Sequence, residues 1–430
     1  MYCGSCLHDN AIARALMRLG HDALLVPTYT PILTDEHSAA ADKLFFGGLN
    51  VYLQQLSPVF RWLPKWADGF LSQPKLVQWI ASRSMGTTAD KLGALTVSML
   101  RGRDGNQRKE VDRLCDWLKD ENPDAIVFSN LLIAGCAPTI KDQLGCPIVV
   151  ILQGDDIFYS ALTQPHKDQA ATELRRLAQL VDRFVVHSSD YAQRMASMLD
   201  VPMEKMHVTP LSIDTADFAN MPDSQPRQSL TIGYLARLAP EKGLHLLVDA
   251  FIDLAHRDSR QDVRLDIAGW LGPQHEAYWQ EQKRKISAAG LDDRVHYHGS
   301  VDRVGKLEFL SKIELLCVPT TYREPKGLFV LEALAAGVPY VLPDHGAFPE
   351  LHARHDSGHL VKPEDQTALA DKLSEALDDL AEITSRARLA REQMLSGNMI
   401  EAEAKYWLAL LEELIDDTQN NGQEIVLANR

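Results

Sequence analysis

The chain has 430 residues, 45% hydrophobic and 24% charged, a composition typical of a soluble globular protein with two or more domains. Its formal net charge of −15 argues against general nucleic-acid binding. No run approaches the roughly 18 apolar residues of a membrane span, and six scattered cysteines indicate reduced cytoplasmic thiols rather than a disulfide framework.

The first half of the chain alternates between helical and strand patterns. A helix is predicted at residues 7–19, ending at Gly20, and a strand at 21–27. Further strands are predicted at 124–129, 147–152, 183–188 and 206–214, with helices at 111–119, 131–144, 167–180 and 190–199. This alternation predicts right-handed parallel βαβ units.

The spacing of Cys3 and Cys6 matches that of a redox pair. However, no second cysteine pair completes a zinc site, and no preceding strand supports a thioredoxin-like motif. The preferred interpretation is a tight turn that opens a helix, in which Gly4 lets a ligand approach the backbone.

A second α/β domain is predicted after a polar, proline-containing linker at residues 216–229. It opens with a strand at 230–235, a loop at 236–243 and a helix at 244–255. Further strands are predicted at 264–269 and 295–300, and an amphipathic helix at 399–414 is followed by a polar tail.

The stretch from residue 314 to 342 reads as strand, polar loop, helix and strand, with Gly337 ending the helix. In an open parallel sheet, ligands bind beside the loops that leave the carboxyl ends of strands. The N–H groups around Gly327, Leu328 and Phe329, at the start of this helix, are suited to an anion such as phosphate.

Two glutamates flank this helix start. Glu324 lies in the loop and Glu332 lies two turns on, so they could contact opposite ends of one extended ligand. The plain alternative is that both are solvated surface residues. We reject it because Glu332 lies between apolar neighbours, where a carboxylate needs a partner.

The run EPKGLFVLEALAAGVP, followed by a glycine and PEL, resembles the E-x7-E signature of family 4 retaining glycosyltransferases. The resemblance implies that Glu324 contacts the donor sugar, that Glu332 binds the ribose hydroxyls of a sugar nucleotide, and that the amides between them meet sugar and phosphate. Lys326 stands where the family has Phe or a similar residue.

The segment ARLAPEKG, residues 236–243, resembles a second family motif, GRL-x-x-EKG. The resemblance implies that Arg237 and Lys242 grip the donor diphosphate. Two cations there would stabilise the charge that grows on the leaving phosphate.

Gln153 stands where many family members carry a His that contacts the donor sugar and assists transfer. Glutamine can form hydrogen bonds but cannot titrate. Asp155 and Asp156 are interpreted as spare carboxylates that orient an acceptor hydroxyl, or else as a strand-to-loop cap. Gly299 is a candidate for the nucleotide base pocket, because the strand at 295–300 resembles the family's V-x-F-x-G strand.

The N-terminal region also resembles the family, because Gly20 to Leu24 matches its GH-x-V-type strand. The family places a first strand and a Gly-rich loop before this point. We therefore expect the first strand to be missing through a misassigned start codon or truncation. In the region 29–107, the family's acceptor side, Trp62, Trp66 and Trp79 could stack on sugars. The basic residues Arg101 and Arg103, with Arg108 and Lys109 just after this region, could meet phosphate. For each aromatic alone, helix packing is the more common role.

The resemblance implies a GT-B fold in the α/β class, with two Rossmann-like doubly wound domains facing across a cleft. The expected limits are 1–215 for the acceptor-side domain, 216–229 for the linker, 230–398 for the sugar-nucleotide domain, and 399–430 for a helix crossing back with a polar tail. Residues His345, His352, His355 and His359 are predicted to be solvated in a surface loop rather than to bind metal.

The function implied is retaining transfer of a sugar from a nucleotide-diphosphate sugar to a saccharide or other hydroxyl acceptor, in cytoplasmic glycan biosynthesis. No cofactor or metal is expected, no nucleic acid is a partner, and peripheral membrane contact stays open. Two alternatives are a sugar-nucleotide epimerase and a catalytically silent sugar-nucleotide-binding protein. The second is motivated by Gln153 and the missing strand.

Overall fold

The computed structural model describes residues 4–28, 45–46, 55, 89–221, 230–257, 260–397 and 399–428. The chain divides into two compact units. Met1–Ala11 with Pro210–Glu403 is called here the six-strand unit, and Ile12–Thr209 with Ala404–Arg430 the four-strand unit. The domain limits expected at residues 215, 230 and 398 stay predictions.

In its described residues, the four-strand unit contains one parallel sheet in the order β1-β2-β3-β4. The strands are β1 Ile126–Phe128, β2 Ile148–Ile151, β3 Arg183–Val186 and β4 Met206–Val208. The helices begin with α1 Gly4–Arg18, which enters this unit from the other, and continue with α2 Ala89–Leu100, α3 Arg108–Glu121, α4 Ala137–Leu144, α5 Asp155–Ser160, α6 His166–Leu180 and α7 Ser189–Leu199. All four strands predicted between residues 120 and 215 are confirmed.

The six-strand unit, as far as it is described, is built on a parallel sheet in the order β10-β9-β8-β5-β6-β7. Its strands are β5 Thr231–Leu235, β6 Arg264–Ala268, β7 Val295–Tyr297, β8 Leu315–Cys317, β9 Tyr340–Pro343 and β10 Gly358–Val361. Its helices are α8 Leu244–Ala255, α9 Glu276–Ala288, α10 Arg303–Leu310, α11 Leu328–Ala335, α12 Phe348–His355, α13 Gln366–Asp378 and α14 Leu380–Ser396.

The order of this sheet reverses between two central strands. The chain moves from β5 outward to β6 and β7, and then returns to β8 on the other side of β5 before reaching β9 and β10. The register places Ile232 opposite Leu315. The loops after β5 and β8 therefore leave adjacent strand ends in opposite directions, which creates the crevice where open α/β sheets bind ligands.

The largest differences from prediction are at the ends of the chain. The predicted strand at 21–27 is absent, because residues 21–28 form isolated bridges only, such as Thr28 with Phe45. The helix predicted at 7–19 starts three residues earlier, at Gly4, and the residues before it, which include part of the predicted turn, lie outside the described residues. The predicted polar tail is helical, because α15 runs over Met399–Ala428 without a proline to stop it.

Smaller differences follow from local hydrogen bonding. The predicted helix at 131–144 starts as a 3-10 segment, Leu131–Cys136, before α4. The Asn130 side chain accepts a hydrogen bond from Ile133 N at 3.2 Å and caps that segment. The predicted linker includes the 3-10 turn Phe218–Asn220, and residues 222–229 lie outside the described residues.

One residue of the six-strand unit has a strained backbone. Glu364 has φ of +56°, in the left-handed region that costs a residue with a Cβ about 1–2 kcal/mol. Asn122, Asp200 and Asp356 also have positive φ, but Asn and Asp tolerate it well. Glu364 has no such side chain to compensate.

We expect Glu364→Gly to raise the free energy of unfolding by roughly 0.5–1 kcal/mol, since relieved strain exceeds the entropy that glycine adds to the unfolded chain. Glu364→Ala is the matched control, because it removes the side chain but keeps the Cβ. Thermal unfolding should rank the glycine variant above both wild type and the alanine variant. Equal stability of the two variants would contradict strain at this position.

Candidate functional site

The predicted site residues of the six-strand unit lie on the loops after β5 and β8. The first loop passes Arg237 and the 3-10 turn Pro240–Lys242 before α8 begins. The second runs from Val318 to Gly327 before α11. Thr321 N donates a hydrogen bond to Glu241 O at 3.0 Å, so the two loops are joined through their backbones.

A glycine makes this close approach possible. Gly243 has φ of +74°, and a Cβ added to it would lie 1.7 Å from Pro319 O. Any other residue would push the two loops apart. The glycine of the EKG segment therefore has a packing role, which is to bring Lys242 next to the loop after β8.

Lys242, Tyr322 and Glu324 form one buried network. Lys242 Nζ lies 2.8 Å from Glu324 Oε2. The Tyr322 hydroxyl accepts a hydrogen bond from Lys242 and donates one to the same Glu324 oxygen. The Lys242 ammonium also lies 4.8 Å from the centre of the Tyr322 ring and 5.7 Å from that of Phe329, which adds cation–π attraction.

The network keeps Glu324 ionised. Its side chain is only 7% exposed, and burial alone would raise the pKa of its carboxyl. The charge of Lys242 and the hydrogen bonds from Lys242, Tyr322 and Gly327 N outweigh that effect, so the pKa lies below its ordinary value. Burial and the Glu324 charge raise the pKa of Tyr322, so the tyrosine stays a hydrogen-bond donor.

The start of α11 lies directly beside this carboxylate. Gly327 precedes the helix with φ of +79°, and its N–H points to Glu324 Oε1 at 3.4 Å. A Cβ added to Gly4 would lie 3.4 Å from Leu328 Cδ1, so the start of α1 reaches the start of α11. The structure thus brings Lys242, Glu324, Gly327 and Leu328 together, with Gly4 at their edge.

Glu332 has the partner that its apolar surroundings require. Lys306 Nζ, on α10, lies 2.7 Å from Glu332 Oε1. The two side chains are 22% and 20% exposed. This ion pair is separate from the Lys242 network, so the two predicted glutamates have different cations.

Arg237 and Gly299 lie outside both groups. The Arg237 side chain is 43% exposed and pairs with Glu241 at 3.1 Å, although its charge acts on the pKa of Tyr322. Gly299 follows β7 with φ of +75°, and its carbonyl accepts a hydrogen bond from Gly269 N at 2.9 Å.

Gln153 belongs to the four-strand unit and follows β2. Its Nε2 donates to Ser129 O at 2.9 Å. The neighbouring aspartates are not spare, contrary to prediction. Asp155 accepts hydrogen bonds from Leu131 N at 2.7 Å and Gln153 N at 3.1 Å.

The Asp156 carboxylate also has hydrogen-bond partners within the protein. It accepts hydrogen bonds from the Tyr191 hydroxyl and Arg194 Nη1, each at 2.9 Å. Burial raises the pKa of Asp155 to about 6, with the two backbone hydrogen bonds opposing the rise. These carboxylates therefore fix the loop that carries Gln153.

Sequence reasoning missed Tyr322 and Lys306. Tyr322 lies two residues before Glu324 in the predicted loop, which is the only signal that could have pointed to it. Lys306 contacts Glu332, which lies 26 residues further along the chain. The sequence around Lys306 contains no motif that predicts this contact.

Several other candidates have plain structural roles. His352 and His355 lie on α12, and His359 on β10, so the predicted surface loop is wrong. Among the described residues, these histidines and His345 form no group whose ligand atoms converge on one point. Arg101 pairs with Glu173, and Arg103 with Asp112. Residues Trp62, Trp66, Trp79 and Cys3 lie outside the described residues.

Two family models match the chain. The model described as Glycosyl transferases group 1 matches residues 219–393, and the model described as Glycosyltransferase Family 4 matches residues 100–217. Together they cover more than half of the chain. The first includes both loops of the Lys242 network.

Three relatives that align with between 38% and 90% of this chain are a glycogen synthase and two mannosyltransferases. Glycogen synthase of Mycobacterium tuberculosis is 28% identical over 400 residues, 90% of this chain and 86% of that enzyme. The lipopolysaccharide core biosynthesis mannosyltransferase LpsB of Rhizobium meliloti is 28% identical over 269 residues, 60% of this chain and 72% of that protein. A phosphatidyl-myo-inositol mannosyltransferase of Mycobacterium leprae is 31% identical over 164 residues, and the match spans 38% of this chain and 41% of that protein.

Solved structures share the fold. Sucrose-phosphate synthase from Thermosynechococcus elongatus superposes with a TM-score of 0.68 at 18% identity, covering 94% of this chain and 92% of that one. Anabaena HepE in complex with UDP and glucose gives a TM-score of 0.66 at 17% identity, covering 96% and 97%. In the part of this chain that is described, no helix is both long and apolar enough to cross a membrane.

The network predicts how stability responds to its removal. Lys242→Met leaves the buried Glu324 without its cation and should cost about 3–5 kcal/mol of unfolding free energy. Lys242→Met with Glu324→Gln should recover a large part of that loss, as measured by chemical denaturation. The control is Lys285→Met, which breaks the more exposed pair with Asp249 and should cost about 1 kcal/mol or less. If the losses of unfolding free energy caused by Lys242→Met and by Glu324→Gln simply add in the double variant, the pairing of these two residues is contradicted.

The same network predicts a pH dependence. Because the folded pKa of Glu324 is lowered, its contribution to stability is complete above the unfolded pKa, near 4.3, and is lost as the pH falls through the folded value. Wild type should therefore lose stability relative to Glu324→Gln as the pH falls below about 4. If the difference in unfolding free energy between wild type and Glu324→Gln stays constant with pH, Glu324 is not ionised in the folded protein.

Proposed function

Because this chain belongs to the group 1 and family 4 glycosyltransferases and has their GT-B fold, we propose that it transfers a sugar from a nucleoside-diphosphate sugar to a hydroxyl acceptor. The anomeric configuration of the sugar is retained. The six-strand unit holds the donor.

The observation that carries this proposal is the buried Lys242–Tyr322–Glu324 network at the switch point of the sheet. A lysine ammonium has three protons. Two are directed to Tyr322 and Glu324, so the third remains for an anion. The start of α11 adds N–H groups and the positive end of its helix dipole beside that proton. This combination supports a diphosphate at Lys242.

Glu324 and Glu332 then bind the two ends of the donor. Glu324 is held ionised, so it acts as an acceptor for hydrogen bonds from sugar hydroxyls rather than as a general acid. Glu332, in the second turn of α11, accepts the hydroxyls of the ribose. Gly299 lies at the end of β7 and borders the base.

The transfer step needs little acid–base chemistry from the protein. The bond between the sugar's anomeric carbon and the diphosphate oxygen breaks, and the acceptor oxygen bonds to that carbon on the same face. The acceptor proton passes to the departing phosphate oxygen. Gln153 cannot take that proton, because an amide does not titrate. Its role is to bind a hydroxyl, on a loop that Asp155 fixes.

The residues of the site supply the electrostatic stabilisation. Negative charge grows on the diphosphate as it leaves. The positive charges of Lys242 and Arg237 and the positive end of the α11 dipole stabilise that charge. We therefore propose transfer without a metal ion or a cofactor. Activity that survives treatment with a chelator would support this, and strict dependence on a divalent cation would contradict it.

The acceptor is a saccharide or another hydroxyl compound, and the pathway is glycan biosynthesis. These statements rest on the relatives, which include a glycogen synthase and mannosyltransferases. A cytoplasmic location stays a prediction. It agrees with the described cysteines, which are free thiols.

The diphosphate assignment predicts the effect of removing its cations. Arg237→Ala with Lys242→Ala should abolish calorimetric binding of whichever of UDP-, GDP- and ADP-sugars the wild type binds, since each charge-assisted contact is worth about 1.5–3 kcal/mol. UDP is included because the structure of HepE contains it.

The matched control is Arg257→Ala with Lys285→Ala. It removes two cations of the same unit that pair with Asp253 and Asp249 away from the site. Circular dichroism must show that both double variants are folded. Wild-type affinity in the Arg237–Lys242 variant would refute the assignment, and inversion of the anomeric configuration in the wild-type product would refute the proposed transfer.

A further inference from the structure

The ion pair between Lys306 and Glu332 is separate from the Lys242 network and lies in the same unit. It joins α10, which precedes β8, to α11, which follows β8, with a distance of 2.7 Å between Nζ and Oε1. Both side chains keep about a fifth of their surface exposed.

The packing of these helices is secured by other residues. Phe309 and Leu310 of α10 are almost fully buried, and Leu331 and Leu334 of α11 are completely buried. Burial of side chains of this size contributes about 1.5–3 kcal/mol each. The helices therefore do not depend on the ion pair, and its retained exposure leaves both charged groups within reach of a ligand.

The position of Lys306 is well defined. Asp302 Oδ1 accepts a hydrogen bond from Gly305 N at 2.8 Å and caps the start of α10. Lys306 is the next residue after this capped N–H. The preceding residues, Gly299 to Asp302, connect β7 to the helix. Lys306 therefore stands between the end of β7 and the second turn of α11.

The chemistry of the pair matches a sugar diol next to a diphosphate. An ionised carboxylate has four acceptor sites, and Lys306 occupies one of them. The remaining sites can accept two neighbouring hydroxyls. A carboxylate near a diphosphate also suffers charge repulsion, which a cation in hydrogen-bond contact offsets.

We propose that Lys306 is a positioning residue for the nucleotide, which holds the Glu332 carboxylate in the orientation that accepts both hydroxyls of a ribose. This inference rests on the proposed function. Its consequence is that the site selects ribonucleotides over 2′-deoxyribonucleotides and that the selection depends on Lys306, a residue that does not itself need to touch the ribose.

The test is calorimetric binding of UDP, GDP and ADP and of their 2′-deoxy counterparts to the full chain. Wild type should prefer the ribonucleotide by about tenfold or more, the equivalent of roughly 1.4 kcal/mol. Lys306→Met, which keeps the apolar stem, should weaken ribonucleotide binding and reduce the preference to within about threefold. Lys306→Arg, which restores a cation, should recover part of it.

Lys285→Met is the matched control, because it breaks another lysine–carboxylate pair between helices, at 2.7 Å from Asp249. It should leave the preference at the wild-type value. A preference that Lys306→Met leaves intact overturns the inference alone, since a purely structural pair would behave in that way. Folded wild type that binds no nucleotide overturns the proposed function, and the inference with it.

A double-mutant cycle gives a second measure. If Lys306 acts through Glu332, then Lys306→Met should add little to the loss of ribonucleotide affinity already caused by Glu332→Gln. Additive losses would mean that Lys306 acts elsewhere, and would overturn the inference even if the preference falls.

Discussion

The buried contact between Lys242 and Glu324 is the constraint on which the rest of the site depends. A carboxylate with 7% exposure cannot stay ionised without a cation and hydrogen bonds, so the loops after β5 and β8 must approach until Lys242 reaches it. That approach requires a glycine at 243, because a Cβ would overlap Pro319 O. It also requires β5 and β8 to be neighbours, which the reversal of strand order provides. Electrostatics, backbone geometry and topology thus all determine where Lys242 and Glu324 meet.

Charge pairing is a general property of this site. Lys242 pairs with Glu324, Lys306 with Glu332, and Arg237 with Glu241. The pairs differ in exposure, and therefore in the ease with which a ligand can share their cations. The Lys242 pair is buried and fixed, the Lys306 pair is partly exposed, and Arg237 is the most exposed of the three cations. Under the proposed function, a diphosphate would meet one preset cation in Lys242 and a second, Arg237, that can reorient at low cost, because exposed ion pairs such as that of Arg237 are weak.

Much of the six-strand unit could be predicted from the sequence, because its signals are local. Helix α8 begins and ends at the predicted residues, and Gly327 and Gly337 bound α11 as expected. The need of Glu332 for a partner followed from its apolar neighbours. The identity of that partner did not, since the contact with Lys306 depends on how α10 returns across the sheet. Tyr322 was missed for the same reason, because its link to Lys242 spans 80 residues. In the described residues, the stretch predicted as a strand at 21–27 forms isolated bridges only, and an apolar run becomes a strand only where such bridges continue into a ladder.

The most direct test of this account is a crystal structure of the protein with the nucleoside diphosphate that it binds best. The account predicts that a terminal phosphate oxygen lies within about 3 Å of Lys242 Nζ, at the start of α11, while Lys242 keeps its contact with Glu324. It also predicts that both ribose hydroxyls donate to Glu332. A nucleotide bound with its diphosphate away from Lys242, or one that displaces Glu324 from it, would contradict the central claim.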